Sequence, residues 1–211
     1  MKKVISIILS ILLTTTMVSN VKASTQTANI STKNYTVQNG DSMWKICDKF
    51  QVGVSEIIGL NPQISDPNQI RPGNILKIPN LDAIKAIENQ VISLVNIERS
   101  KVGIPALKGN WQLSRIARYK AEDMRDKNYF SHTSPIYGSP FDMLKKFGFS
   151  FSAAGENIAM GQQTPSEVMT SWMDSTGHRQ NILNVTYTEI GVGIAKRSNG
   201  SIYWVQQFIR R

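Results

Sequence analysis

The chain contains two histidines, and both lie in segments rich in side chains that can do chemistry. His132 lies in F-S-H-T-S-P at 130–135, and His178 lies in W-M-D-S-T-G-H-R-Q-N-I-L at 172–183. Glu156 lies between them, in G-E-N-I-A at 155–159. Imidazole titrates near neutral pH and ligates metals, so two rings converging on one carboxylate could bind zinc or move protons. The alternative is that each histidine is a hydrogen-bonded structural residue.

The neighbouring residues favour a binding or structural site over a hydrolase. The chain has no H-E-x-x-H pairing that would mark a general base beside a metal. Ser131 and Ser134 flank His132 without the strand-turn-helix motif of a serine nucleophile. Asn157 and Asn181 are predicted to fix loops. Arg179 is predicted either to pair with Glu156 or a glycan carboxylate, or to lie free in solvent.

The first 23 residues have the pattern of a secretory signal peptide. Lysines at positions 2 and 3 precede the apolar run 4–13, and Ala23 ends a small-residue cleavage site. An uncleaved anchor is the alternative, although the run is short for a membrane span. Residues 24–34 form a polar linker, and no second apolar span follows. We therefore expect a secreted protein, extracellular or associated with the cell wall.

Charge and cysteine content exclude several classes of protein. Removal of the signal peptide takes away three lysines and no acid, which lowers the net charge from +9 to +6. The basic residues are scattered and not interleaved with aromatic ones, so no nucleic-acid partner is expected.

Cys47 is the only cysteine, so no internal disulfide can form and the core must hold the fold. The helical spacing of Cys47 from Trp44 and Phe50 predicts a buried position. We expect the protein to be a monomer.

Residues 35–79 read as a compact strand-helix-helix-strand unit. An alternating segment at 35–37 ends at an Asn-Gly turn, Ser42 caps a first helix, Ser55 caps a second, and 75–78 forms the closing strand. The unit resembles a LysM domain along its whole length, through Y-T-V-Q-N-G-D-S-M-W-K-I, L-N-P and I-R-P-G-N-I-L-K-I-P. The D-P-N at 66–68 is similar to the LysM units of spore-coat assembly proteins.

The LysM resemblance implies binding of peptidoglycan or another N-acetylglucosamine glycan in a groove between two loops. Carried over to this sequence, the groove is lined by seven residues: Gly40, Asp41, Ser42, Leu60, Asn61, Pro62 and Ile78. Backbone amides and small polar side chains suit an acetamido group, with apolar side chains beneath its methyl. Gly40 and Asp41 are also expected to serve as turn and cap.

Residues 84–211 are predicted to form a second domain of segregated helices and antiparallel strands, which places the chain in the α+β class. Helical spacing covers 82–100, 111–124, 141–147 and 164–172. Residues 190–195 and 202–208 alternate as strands around Ser198-Asn199-Gly200, which is a hairpin signal.

This second domain resembles the CAP superfamily (cysteine-rich secretory, antigen-5 and pathogenesis-related proteins) in its bacterial YkwD-like form. The motifs that carry the resemblance are L-V-N-I-E-R-S, F-S-H-T-S-P, G-E-N-I-A, the His178 segment, G-V-G-I-A and Y-W-V-Q-Q-F. The resemblance implies an α-β-α sandwich around a central antiparallel sheet. It also implies a cleft containing His132, Glu156 and His178, whose histidines bind zinc in some members.

The cleft departs from the family pattern at one position. Many members have a second glutamate, which by spacing would fall near Ser175; Asp174 is the nearest acid. We therefore expect a wall- or spore-associated protein that binds peptidoglycan and carries a His/Glu cleft, with zinc as the candidate cofactor. The alternatives are a metal-dependent hydrolase of wall material and, ranked last, a lipid carrier.

Overall fold

The structure is a computed structural model that describes residues 31–211. The predicted signal peptide and linker residues 24–30 lie outside the described residues. Helix α3 is the longest element between 31 and 211, and no helix in that range has the length and apolar character needed to cross a membrane.

The N-terminal domain is a two-stranded antiparallel sheet covered by two helices. Its elements are β1 Thr32–Thr36, α1 Met43–Phe50, α2 Val54–Leu60, a 3-10 turn Pro67–Gln69 and β2 Ile75–Pro79. Strand β1 begins inside the segment that the sequence assigns to a linker. Cys47 is buried as expected, and burial raises the pKa of its thiol to about 11. The prediction for Trp44 was wrong, since this side chain is 63% exposed.

The start of α2 also differs from the prediction. Gly53, and not Ser55, is the N-cap residue. A Cβ at Gly53 would lie 2.2 Å from the Arg115 guanidinium of the C-terminal domain and from Glu56 Oε2, so any larger residue would have to displace the ends of these two paired side chains. Ser55 lies inside the first turn, where its hydroxyl donates to Glu56.

The C-terminal domain is an α-β-α sandwich, which confirms the α+β class. Its elements are α3 Asp82–Lys101, β3 Lys108–Gly109, α4 Trp111–Asp126, α5 Pro140–Lys146, β4 Ala153–Met160, α6 Pro165–Asp174, α7 Thr176–Ile182, β5 Glu189–Lys196 and β6 Ile202–Arg210. The strand order is β3-β5-β6-β4, antiparallel except for the short parallel pair β3-β5. Helices α3, α6 and α7 cover one face of the sheet, and α4 and α5 cover the other.

Two glycines of β5 allow α4 to lie directly on the sheet. A Cβ at Gly193 would lie 2.1 Å from the backbone nitrogen of Arg118, and one at Gly191 would lie 2.3 Å from the carbonyl carbon of Leu113. The opposing group is helix backbone in both cases, so no side-chain rotation can relieve the overlap. The G-V-G-I-A segment therefore sets the distance between α4 and β5.

The two domains contact each other through α3 and α4. Arg115 Nε lies 2.7 Å from Glu56 Oε1, and Trp111 Nε1 donates to Asp48 Oδ1 at 3.0 Å. Burial opposes ionisation of Glu56, but the Arg115 guanidinium outweighs it and lowers the pKa of the carboxyl. Ile84 packs against the apolar cores of both domains. These contacts dock the N-terminal domain directly on the helix that also carries part of the candidate site.

Two titratable side chains, Glu88 and Arg118, are buried against each other between α3 and α4. Arg118 Nε lies 3.1 Å from Glu88 Oε1, and both side chains are less than a tenth exposed. Burial raises the pKa of Glu88 from 4.5 to about 8, although Arg118 and Lys85 act in the opposite direction. The folded protein therefore retains a proton at Glu88 over a pH range in which the unfolded chain has released it.

Glu88 is expected to make the protein less stable as pH rises from about 4.5 to about 8. Because the folded-state pKa is raised, the favourable contribution is complete below the unfolded value and is lost as pH passes through the folded one. Glu88→Gln cannot ionise, so its free energy of unfolding relative to wild type should increase across this window. Urea denaturation at several pH values measures the difference; a difference that stays constant with pH would contradict the assignment.

Candidate functional site

The first feature of the site is a hydrogen-bonded pair at the edge of the sheet. His132 Nδ1 lies 2.8 Å from Glu156 Oε1. The imidazole is 53% exposed, whereas the carboxylate is only 2% exposed. Because Glu156 engages Nδ1, the Nε2 atom of His132 is the ring nitrogen left to meet a proton, a metal or a ligand.

A glutamine holds the other oxygen of Glu156. Gln207 Nε2 donates to Glu156 Oε2 at 2.6 Å, and the two residues are direct neighbours on β6 and β4. Burial raises the pKa of Glu156, while the hydrogen bond from His132 and the charge of Lys120 act against it. Both carboxylate oxygens are thus occupied by protein groups. Glu156 orients the imidazole and is not itself presented to a ligand.

Helix α4 supports the loop that carries His132. Lys120 is almost fully buried, and its Nζ donates to the His132 carbonyl at 2.8 Å and to the Tyr129 hydroxyl at 3.2 Å. Asp123, one turn further along, accepts hydrogen bonds from Tyr129 and from the Ser134 hydroxyl. The loop is therefore fastened to α4 at three positions, which fixes the backbone on both sides of His132.

His178 lies on α7. Its pKa is lowered, first by burial and then by the charge of His132. Asn157 Nδ2 donates to the His178 carbonyl at 3.1 Å, and Asn181 Nδ2 donates to Asn157 Oδ1 at 2.8 Å. The predicted role of these two asparagines in fixing backbone is confirmed.

Several alternatives left open by the sequence are decided by the structure. Arg179 donates to the Met173 carbonyl at 2.7 Å and makes no hydrogen bond with Glu156. Ser134 is buried, and its oxygen accepts from the amides of Ile136 and Tyr137. This hydroxyl is a structural group and is not placed to act as a nucleophile.

The second candidate site is the exposed loop between β1 and α1. Gly40 has φ of +83°, a conformation that glycine adopts without strain. The Asp41 carboxylate accepts from the Tyr35 hydroxyl at 2.7 Å and from the Gln38 amide at 2.8 Å, and these bonds lower its pKa. Ser42 caps α1 by accepting from the Lys45 amide. Gly40 and Ser42 are exposed to solvent.

The opposite side of the predicted groove needs a correction for two residues. Asn61 and Ile78 are fully buried. The Asn61 amide donates to the carbonyls of Ile57 and Lys77 and accepts from the Lys77 amide, so it joins α2 to β2. Side-chain contact with a glycan is therefore not available to them. Leu60 is half-buried and Pro62 is exposed, and these two can face a ligand.

Comparison with known families agrees with this architecture. The model of the cysteine-rich secretory protein family (CAP) matches residues 92–208, more than half of the chain. The chain belongs to the CAP family. A LysM domain model matches residues 35–79. The N-terminal and C-terminal domains are from here on the LysM domain and the CAP domain.

Individual relatives match part of this chain. YkwD of Bacillus subtilis (strain 168) is 56% identical over 127 residues, which cover 60% of this chain and 48% of YkwD. The spore coat assembly protein ExsA of Bacillus cereus is 40% identical over 48 residues, 23% of this chain and 8% of ExsA. A crystal structure of an extracellular SCP-domain protein from Bacillus anthracis str. Ames has a TM-score of 0.56 at 35% identity, covering 72% of this chain and 50% of that one. The chain spans about half the length of YkwD and of the B. anthracis protein.

The CAP cleft offers two histidine donors for a metal. Among residues 31–211, no group of three or more histidine, cysteine or acidic side chains is placed to hold an ion. Glu156 is occupied by His132 and Gln207, and Asp174 is exposed at the end of α6. Catalytic zinc sites use three protein ligands and structural sites use four. The described residues therefore fit, at most, a zinc ion held by His132 and His178 and completed by solvent.

Gln207 and Lys120 are functional residues that sequence reasoning did not identify. A signal for Gln207 is present in Y-W-V-Q-Q-F, where two amides occupy an otherwise apolar strand. Gln206 faces Asn157 on one side of the sheet, and Gln207 faces Glu156 on the other. Lys120 lies on a basic, amphipathic helix and cannot be distinguished by pattern from a solvated lysine.

Proposed function

We propose that this protein is a secreted, wall- or spore-associated binding protein that holds N-acetylglucosamine-containing glycan through its LysM domain. The observation that carries the proposal is the LysM domain itself, with its fixed and exposed Gly40–Ser42 loop. Backbone amides and a hydroxyl at such a loop can recognise an acetamido group, with Leu60 and Pro62 supplying apolar contact. The identity with a spore coat assembly protein in this domain supports the association with spores.

The CAP cleft is proposed to act as a ligand-presenting or ligand-binding site. The supporting geometry is one exposed imidazole oriented by a buried carboxylate. This arrangement can exchange a proton at His132 Nε2 or donate a hydrogen bond from it. A hydrolase is the less supported alternative, because Ser134 is committed to its loop and Glu156 is not exposed as a base.

Binding to insoluble peptidoglycan is expected to depend on the Gly40 loop. Gly40→Val should lose most co-sedimentation, since a branched side chain covers the loop and is strained at positive φ. Gly103→Val is a matched control: Gly103 has φ of +72° after α3 in the CAP domain and, like Gly40, open space around its Cβ position. Both variants should melt at similar temperatures. Equal retention of both variants by the wall would contradict the proposal.

Zinc is proposed to bind weakly between His132 Nε2 and His178. One ion per chain is expected at raised zinc concentration, and His132→Ala or His178→Ala should each abolish it, because neither ring alone is a site. Metal analysis after equilibrium dialysis measures the stoichiometry. Unchanged zinc content in both variants would exclude this site.

A further inference from the structure

An exposed tryptophan lies beside the proposed glycan loop and has no role in the LysM core. Trp44 is 63% exposed, whereas Trp172 and Trp204 are almost completely buried. Exposed apolar side chains are common on proteins, so exposure alone assigns no role. A role is instead suggested by the position of Trp44 relative to the CAP domain.

Trp44 and Asp48 occupy the same face of α1, because they are four residues apart in the helix. Asp48 Oδ1 accepts a hydrogen bond from Trp111 Nε1 of the CAP domain at 3.0 Å. The order of side chains across the boundary between the domains is thus Trp44, Asp48 and Trp111. We call these three residues the junction surface.

The junction surface is continuous with the Gly40–Ser42 loop. Trp44 is the second residue of α1, and side chains in helices lean toward the N-terminus. Trp44 therefore lies one helical position beyond Met43 and two positions after Ser42, the residue that caps the helix. The loop, Trp44, Asp48 and Trp111 form a single path leading from the LysM domain onto the CAP domain.

Within the junction surface the one charged side chain is the acidic Asp48, which favours a neutral ligand over a polyanion there; the Lys45 ammonium lies at the loop end of the path. The acidic Asp48 lies between the two indoles, and the two lysines nearest to it on α1 are directed elsewhere. Lys45 Nζ donates to the Gly40 carbonyl at 2.8 Å, and Lys49 Nζ lies 4.6 Å from the centre of the Tyr35 ring. A phosphate-rich polymer would meet the Asp48 carboxylate without a free cation beside it.

We propose that the glycan-binding surface continues across the junction surface, so that a strand held at the LysM loop is also bound at Trp44 and Trp111. This inference rests on the proposed function and extends it to a longer ligand. Aromatic rings offer an apolar face to the C–H groups of a pyranose, and the free oxygen of Asp48 can accept from a hydroxyl or an acetamido N–H. The CAP domain then takes part in glycan binding directly.

The test uses the full chain and N-acetylglucosamine oligomers of increasing length, followed by tryptophan fluorescence and calorimetry. Trp44→Ala is expected to weaken binding of long oligomers by roughly threefold to tenfold and of the dimer much less. Trp111→Phe, which keeps a ring and removes the hydrogen bond, should weaken long-oligomer binding by a smaller factor. Ile75→Ala is the control for the loss of an exposed apolar side chain in the same domain, because Ile75 is 59% exposed on β2 and is not part of the junction surface.

The outcomes separate the two proposals. If wild type binds oligomers and Trp44→Ala behaves like Ile75→Ala at every length, the junction surface is refuted and the LysM proposal stands. If wild type binds no oligomer, both fail. If Trp44→Ala instead weakens binding of a glycerol-phosphate polymer and leaves oligomer binding unchanged, the assignment of a neutral glycan is wrong. Melting curves of the variants confirm that each is folded.

Discussion

Replacing Gly193 by alanine is expected to destabilise the CAP domain by about 3 kcal/mol or more. The added methyl would lie 2.1 Å from the Arg118 backbone nitrogen, so α4 would have to move away from β5. That movement would also displace Lys120 and Asp123, which hold the His132 loop. Denaturation with urea, followed by far-UV circular dichroism, measures the loss.

Gly177→Ala provides the control for this prediction. Gly177 lies within α7, its Cβ would meet nothing within 4 Å, and its φ is not positive. Alanine there should be neutral or should stabilise the helix by up to about 1 kcal/mol. Similar stabilities for the two variants would show that α4 does not rest on the β5 glycines as described.

Replacing Glu156 by alanine is expected to cost about 3 kcal/mol of stability. The side chain is buried between His132 and Gln207, and its removal leaves the Gln207 amide without a partner in the interior. The imidazole would also lose the group that orients it. Chemical denaturation measures the stability, and a crystal structure of the variant shows whether the ring has turned.

His132→Ala is the companion variant, with an expected cost of about 1 kcal/mol or less. Its ring is 53% exposed, so little apolar surface and only one hydrogen bond are lost. The two results together distinguish two models of the pair. In one, the buried Glu156 carboxylate supports the exposed His132 ring; in the other, both residues contribute equally to a structural network. If His132→Ala lowered the free energy of unfolding as much as Glu156→Ala does, the proposal that the His132 ring is held for binding would be contradicted.

Elements with strong local signals were predicted well from the sequence. The amphipathic pattern of α3 and α4 and the hairpin around Ser198–Gly200 are matched closely by the structure, as is the early proline of α6. Each depends on contacts between residues near in the chain. The His132–Glu156 pair was anticipated through the family resemblance.

Elements that depend on distant contacts were missed. Strand β4 is buried on both faces over most of its length, so Gly155–Ala159 shows no alternation of apolar and polar residues. Helix α7 is short and begins next to Gly177. The N-cap is Gly53, which lies against the paired Arg115 and Glu56 side chains from both domains. Trp44 faces solvent although its spacing suits the core, because Met43, Ile46 and Cys47 form the buried face of α1.

The most direct test of the central claim is a map of amide shifts in the full chain on titration with an N-acetylglucosamine oligomer. We predict the largest shifts at Gly40, Asp41, Ser42 and Leu60, extending to the indoles of Trp44 and Trp111. Amides around His132 and His178 should change little, because their cleft lies apart from this path. Shifts confined to the cleft, with none in residues 35–79, would contradict the account.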